Sequence, residues 1–87
     1  MIRVKIITSK KILIYLNCVK ISLSGERGKL VFTKNHENFI TLLRHGIIII
    51  TTNNNKSIKL FIVSEGICKF FKKEDFYIIT TEKIVCY

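Results

Sequence analysis

The sequence predicts an all-β fold: an antiparallel β-sandwich of about ten short strands in two sheets. Three observations predict it. The dominant hydrophobic period is two rather than 3.6. Ile, Val, Thr, Phe and Tyr fill the alternating runs, and such side chains suit a pleated, half-buried surface. Turn-forming clusters separate the runs at intervals of roughly ten residues.

The elements follow in order along the 87 residues. IRVKII (2–7) sets Ile2, Val4 and Ile6 against Arg3 and Lys5, and a second strand is expected over 10–16 after Thr8-Ser9-Lys10. CVKISL (18–23) alternates Val19, Ile21 and Leu23 with Lys20 and Ser22, and KLVF (29–32) is a shorter example. Residues 36–45, HENFITLLRH, place Phe39, Leu42 and Leu43 at i, i+3 and i+4, so this stretch reads as a loop or a single helical turn covering one end of the sandwich. Strands at 46–52 and 57–64 flank Asn53-Asn54-Asn55, a hairpin turn, because Asn tolerates a left-handed backbone. ICKFF (67–71) follows, then a turn at Lys72-Lys73-Glu74-Asp75, and the sequence is expected to stop at Tyr87 inside or just after its last strand. Phe70 and Phe71 are adjacent and so face opposite sides, and most aromatics read as core. No linker, repeat or low-complexity segment divides the chain, so residues 1–87 are expected to form one domain.

Fifteen Lys and Arg against six Asp and Glu give a net charge of +9. Such an excess favours an anionic partner. The composition weakens that inference: Ile occurs 17 times, Lys 12 and Asn 6, while Ala, Pro and Trp are absent. That bias is the mark of an AT-rich genome, and many lysines then occupy solvated faces without a partner. A small basic β-domain that binds nucleic acid is the alternative reading. It predicts affinity falling steeply with salt.

Catalytic equipment is not legible. Gly25-Glu26-Arg27-Gly28 lacks the Gly-Lys-Ser/Thr and following helix of a phosphate loop, so its glycines read as turn residues. His36 and His45 have only Glu37 as a nearby carboxylate, a poor metal set. The six carboxylates fall at expected turns or strand ends. Cys18, Cys68 and Cys86 are odd in number and form no C-x-x-C pair, so free and mostly buried thiols are expected. No run approaches the ~20 apolar residues of a membrane span, and Ile47–Ile50 is far too short. Residues 1–17 show no secretory leader, which leaves the sequon at Asn55-Lys56-Ser57 a chance match. The residues alone thus point to a binding module.

Residues 23–46, LSGERGKLVFTKNHENFITLLRHG, carry a resemblance. They are similar to the signature L-P-G-x-x-G-x-L-G-[VI]-L-P-G-H-A-P-L-L-T-x-L-x-x-G of the epsilon subunit of F-type ATP synthase, in its N-terminal β-sandwich domain. Leu23, Gly25, Gly28, Leu30, His36, Thr41, Leu43 and Gly46 fall on it without a gap. Val63-Ser64-Glu65-Gly66-Ile67 resembles the family's V-S-G-G-F, and Ile78-Ile79-Thr80-Thr81 resembles its closing strand. The chain departs from the signature at Ser24, Val31, Lys34-Asn35 and Glu37-Asn38, and it carries Lys29 where an acidic residue is frequent. Loss of the signature's prolines leaves the loop less pre-ordered. The family's C-terminal helical hairpin has no counterpart within these residues, so the regulation of ATP hydrolysis and the ATP binding associated with it are not carried over.

The resemblance implies a non-catalytic central-stalk, or rotor, subunit of a proton-translocating ATP synthase. Its implied partners are the gamma subunit and the c ring, with no cofactor, no nucleic acid, and membrane association only through the complex. The implied location is peripheral, on the cytoplasmic face of the inner (plasma) membrane. Glu26, Arg27, Lys29, Lys34 and His36 would lie toward the polar loops of the c ring. Thr41 and Leu42 would lie toward gamma.

Overall fold

Ile2, Val4 and Ile6 are fully buried while Arg3 between them is exposed, the period-two pattern of a strand with one face in the core. The computed structural model describes residues 1–25, 28–33 and 37–86. Among the described residues nine strands run in chain order: β1 (Ile2–Ile7), β2 (Ile12–Gly25), β3 (Gly28–Phe32), β4 (Phe39–Leu43), β5 (Gly46–Thr52), β6 (Ser57–Ile62), β7 (Gly66–Phe71), β8 (Phe76–Thr81) and β9 (Ile84–Cys86). A 3-10 turn, Lys72–Glu74, links β7 to β8 and ends on Asp75 in the left-handed region.

Pairing runs β1-β8-β7-β4-β2-β5-β6-β9, with β3 on β2 and a further β1–β2 ladder. The long β2 turns this path into two layers. Its first half pairs with β1, while Cys18–Ser22 pair with β5 and Ile21–Gly25 with β3. The break falls at Asn17, which has φ 58, and both ladders shift register around it. A bulge of this kind bends a strand and lets it serve two sheets. The sequence reads as two strands here, and counting the two halves of β2 separately recovers the expected number of segments. One layer is β2(first half)-β1-β8-β7-β4; the other is β3-β2(second half)-β5-β6-β9. The ladders are antiparallel except β1–β8, which is parallel. β1 and β8 lie at opposite ends of the chain, so no hairpin fixes their relative direction.

Between the layers lies one core that includes Ile6, Ile21, Ile48, Leu60, Ile79 and Phe70. At one end Phe32, Phe39, Phe70 and Tyr77 form a ring cluster, with centroids 4.4 Å apart for Phe70–Tyr77 and 4.7 Å for Phe32–Phe39. The Tyr77 hydroxyl donates to the Thr33 carbonyl at 3.3 Å.

Residues 36–45 differ from expectation. Phe39–Leu43 form a strand, not a loop or helical turn, paired with β7 from Phe39↔Phe70 to Leu43↔Gly66. The i, i+3, i+4 spacing misled because both faces of FITLL are apolar: Phe39 and Leu43 turn inward while Ile40 and Leu42 turn outward. The β5–β6 hairpin agrees with expectation, and Asn55 takes the left-handed conformation at φ 62. Cys18 and Cys68 are free and buried; Cys86 is free and exposed.

Burial pushes the Cys68 thiol up from its ordinary 9.0 to about 12, and burial foremost raises the Tyr77 hydroxyl above its ordinary 10.0. A raised folded-state value means stability is fully present below the unfolded value and is lost as pH rises toward the folded one. The melting temperature is therefore expected to hold to about pH 9 and then to fall steadily as the pH rises further. In a pH series by circular dichroism, Cys68→Ala should decline less steeply above about pH 9. A wild-type melting temperature flat to about pH 11 would contradict the assignment.

Candidate docking surface

The outer face of the β2-β1-β8-β7-β4 layer gathers exposed apolar side chains from all five strands. Its residues are the outward set of each alternation, and the ladders bring them into rows. One row runs Leu42–Ile67–Thr80–Ile7–Ile12 across the five strands. The next runs Ile40–Lys69–Ile78–Lys5–Ile14. A third, shorter row is Phe71–Phe76–Arg3. Ile40 is 70% exposed, Leu42 56%, Ile12 57% and Ile14 59%. Single exposed apolar residues are ordinary, but contiguous ones mark interaction sites.

The face is not flat. A groove of about 520 Å³ opens at the Leu42 end, lined by Ile7, Ser9, Leu42, Glu65, Ile67 and Glu82 among others. A second, of about 390 Å³, lies between Ile40, Lys69 and Phe71. Arg3 stacks over Phe76 at 5.0 Å from the ring centroid and donates from Nη2 to the Glu74 carbonyl at 3.1 Å. This holds the guanidinium flat on the face. At the neighbouring edge Lys72 Nζ pairs with Glu37 Oε1 at 2.9 Å. Both groups are exposed there, so the pair contributes little to stability.

The residues singled out from the sequence fall in different places. Leu42 stands in this face at the mouth of the larger groove. Thr41 is its chain neighbour and points to the opposite side of β4, where its hydroxyl is 3.5 Å from the Leu42 carbonyl. Lys29 is exposed on β3, in the other layer, in register with Ser24. Glu26, Arg27, Lys34 and His36 lie outside the described residues. Sequence reasoning missed Ile12, Ile14, Ile40, Ile67 and Ile78 as surface residues. For Ile12, Ile14 and Ile40 the signal was present in ILIYL and FITLL, five-residue runs with no charge at all; Ile67 and Ile78 stand in GICKFF and FYIITT, and only the ladders place them on this face.

No curated protein matches this sequence. Solved structures do match its fold. One is a chain of the Euglena gracilis mitochondrial ATP synthase in its OSCP/F1/c-ring assembly, with a TM-score of 0.87 at 17% identity over 98% of this chain and 52% of that one. Another is a chain of the Tetrahymena thermophila mitochondrial ATP synthase central stalk and c ring, with a TM-score of 0.78 at 15% identity over 97% of this chain and 65% of that one. At such identities the likeness is one of fold, and the chain spans between half and two thirds of these neighbours' lengths. The family described as ATP synthase, delta/epsilon chain, beta-sandwich domain matches residues 1–85. That match takes in both layers, the signature stretch on β2 to β5 and the apolar outer face, and it places the chain in the delta/epsilon β-sandwich family of ATP synthase.

Proposed function

We propose that this chain is a non-catalytic rotor subunit of the central stalk of a proton-translocating F-type ATP synthase, joining the gamma subunit to the c ring and supporting coupled ATP synthesis. The observation that carries this reading is the apolar outer face around Leu42, together with membership of the family. A stalk part must transmit torque without deforming. A sandwich whose two layers share β2 and one core resists shear between them. Its affinity for gamma comes from the apolar rows, because exposed ion pairs contribute only about 0–1 kcal/mol each.

Lys29, with Glu26, Arg27, Lys34 and His36, is proposed to meet the polar loops of the c ring, where the cations Arg27, Lys29 and Lys34 suit acidic loops. Thr41, the middle residue of β4, stays with Leu42 in the proposed gamma contact by its place in the chain, its side chain lying on the opposite side of the strand. The complex holds the chain at the membrane surface, on the cytoplasmic face of the inner (plasma) membrane.

The test is a pull-down with the gamma subunit from the same source. The unmodified chain should bind at micromolar concentration or tighter. Ile40→Asp with Leu42→Asp should weaken binding at least about tenfold, while the melting temperature changes little because both side chains are exposed. A chain that never associates with gamma at micromolar concentration would sink the reading.

A further inference from the structure

The middle row of the docking face has an internal order that the apolar area alone does not explain. Lys69 on β7 and Lys5 on β1 both stand opposite Ile78 on β8, so the two ammonium groups flank one isoleucine. Ile40 and Ile14 close the row on either side. Two strand spacings separate the lysine backbones, about 10 Å. The three rows hold Arg3, Lys5 and Lys69 and no carboxylate. Among the described residues, Glu65 and Glu82 sit at one end of the face and Glu74 and Asp75 at the other, beside Lys72 and Lys73, so the charged side chains within the rows are all cations and the nearest of these carboxylates lie beyond the ends of the rows.

An apolar partner laid on this row would take two ammonium groups out of water with nothing to pair them, an arrangement that strongly disfavours binding. A partner that carries carboxylates at the matching separation removes that cost and gains charge-assisted hydrogen bonds. We infer that the surface of gamma that seats here is apolar with two carboxylates about 10 Å apart, and that Lys5 and Lys69 set the register of docking. A helix offers this spacing at positions i and i+7, two turns apart on one face. Ile78, held between the lysines, fills the gap between the two carboxylates. The inference rests on the stalk reading and adds to it the chemistry of the surface that meets the face.

The experiment measures gamma binding by calorimetry for four chains at low and high salt. They are the unmodified chain, Lys5→Glu with Lys69→Glu, Lys5→Met with Lys69→Met, and Lys20→Glu with Lys59→Glu. The last pair lies on β2 and β6 of the other layer and makes the same change in net charge. The Lys5/Lys69 reversal should weaken binding about thirtyfold or more at low salt, with a smaller loss at high salt. The methionine pair should weaken it about tenfold, because the partner's carboxylates are left unpaired. The Lys20/Lys59 pair should change it less than about threefold. Equal losses for the two reversals would mean that only net charge matters, and a Lys5/Lys69 reversal without effect would mean that no carboxylates face the row; either result overturns the inference and leaves the stalk reading standing. Failure of the unmodified chain to bind overturns both.

Discussion

Tyr77→Ala is expected to cost about 3–5 kcal/mol, a large share of the roughly 5–15 kcal/mol that keeps a domain folded. Tyr77 is fully buried and lies at the centre of the ring cluster, with Phe70 at 4.4 Å, Phe32 at 5.9 Å and Phe39 at 6.2 Å between centroids. These rings come from β3, β4, β7 and β8, so the cluster ties the edge strand β4 and the hairpin strand β3 to the middle of the sandwich. Truncation leaves a cavity the size of a ring, and the surrounding strands cannot close it without breaking ladder register. The Thr33 carbonyl also loses its donor. At roughly 4–8 °C per kcal/mol, the melting temperature should fall by at least about 12 °C, or the chain should not fold. Tyr77→Phe separates the two terms. It keeps the ring and removes only the hydroxyl, and should cost about 0.5–1.5 kcal/mol. Equal losses for the two variants would show that the hydrogen bond, not the ring packing, holds this end together.

Gly46→Val is expected to be nearly as damaging, by a different route. Gly46 begins β5 with φ 153, a conformation that side-chain-bearing residues rarely adopt. A Cβ there would stand 2.5 Å from Ser24 Oγ and 2.9 Å from Ser24 Cβ. Backbone strain and the clash together should cost about 2–4 kcal/mol. Gly28 provides the comparison. It has φ 121, and a Cβ added there would meet nothing within 4 Å, so Gly28→Ala meets strain without a clash and should cost about 1–2 kcal/mol. Adding Ser24→Gly to Gly46→Val should recover part of the loss by removing the clash while the strain remains. Chemical denaturation of the single and double variants measures both, and a double variant no more stable than Gly46→Val would refute the clash.

What could be read from the residues depended on whether the two faces of a strand differ. Arg3 and Lys5 mark the outer face of β1, so its six residues were legible to the boundary. Asn55 announced its turn because Asn accepts a left-handed backbone. Gly25, Gly28 and Gly46 carried the family signature because positions around them leave no room or no allowed φ for other residues. FITLL was not legible. Apolar on both faces, it has no alternation to read, and only its ladder with β7 shows it to be a strand. Asn17 was equally silent as the bend in β2, since nothing local states that one strand serves two layers. The docking face was the least legible feature. Lys5 and Lys69 belong to strands far apart in the chain, and only the pairing of each with Ile78 puts them in one row. Of the candidate contacts named from the resemblance that lie among the described residues, Lys29, Thr41 and Leu42, one stands in that face, Leu42.

The central claim is that the outer face of the β2-β1-β8-β7-β4 layer is where gamma seats. The 17 isoleucines make the chain well suited to a direct test, because each methyl group reports on its own surroundings in an NMR spectrum. Methyl spectra of the isotope-labelled chain are compared before and after addition of unlabelled gamma. The claim predicts that Ile7, Ile12, Ile14, Ile40, Ile67 and Ile78 shift or broaden, while Ile47 and Ile49, on the outer face of the other layer, do not. Perturbation confined to Ile47 and Ile49, with the Ile40–Ile78–Ile14 row unchanged, would contradict it.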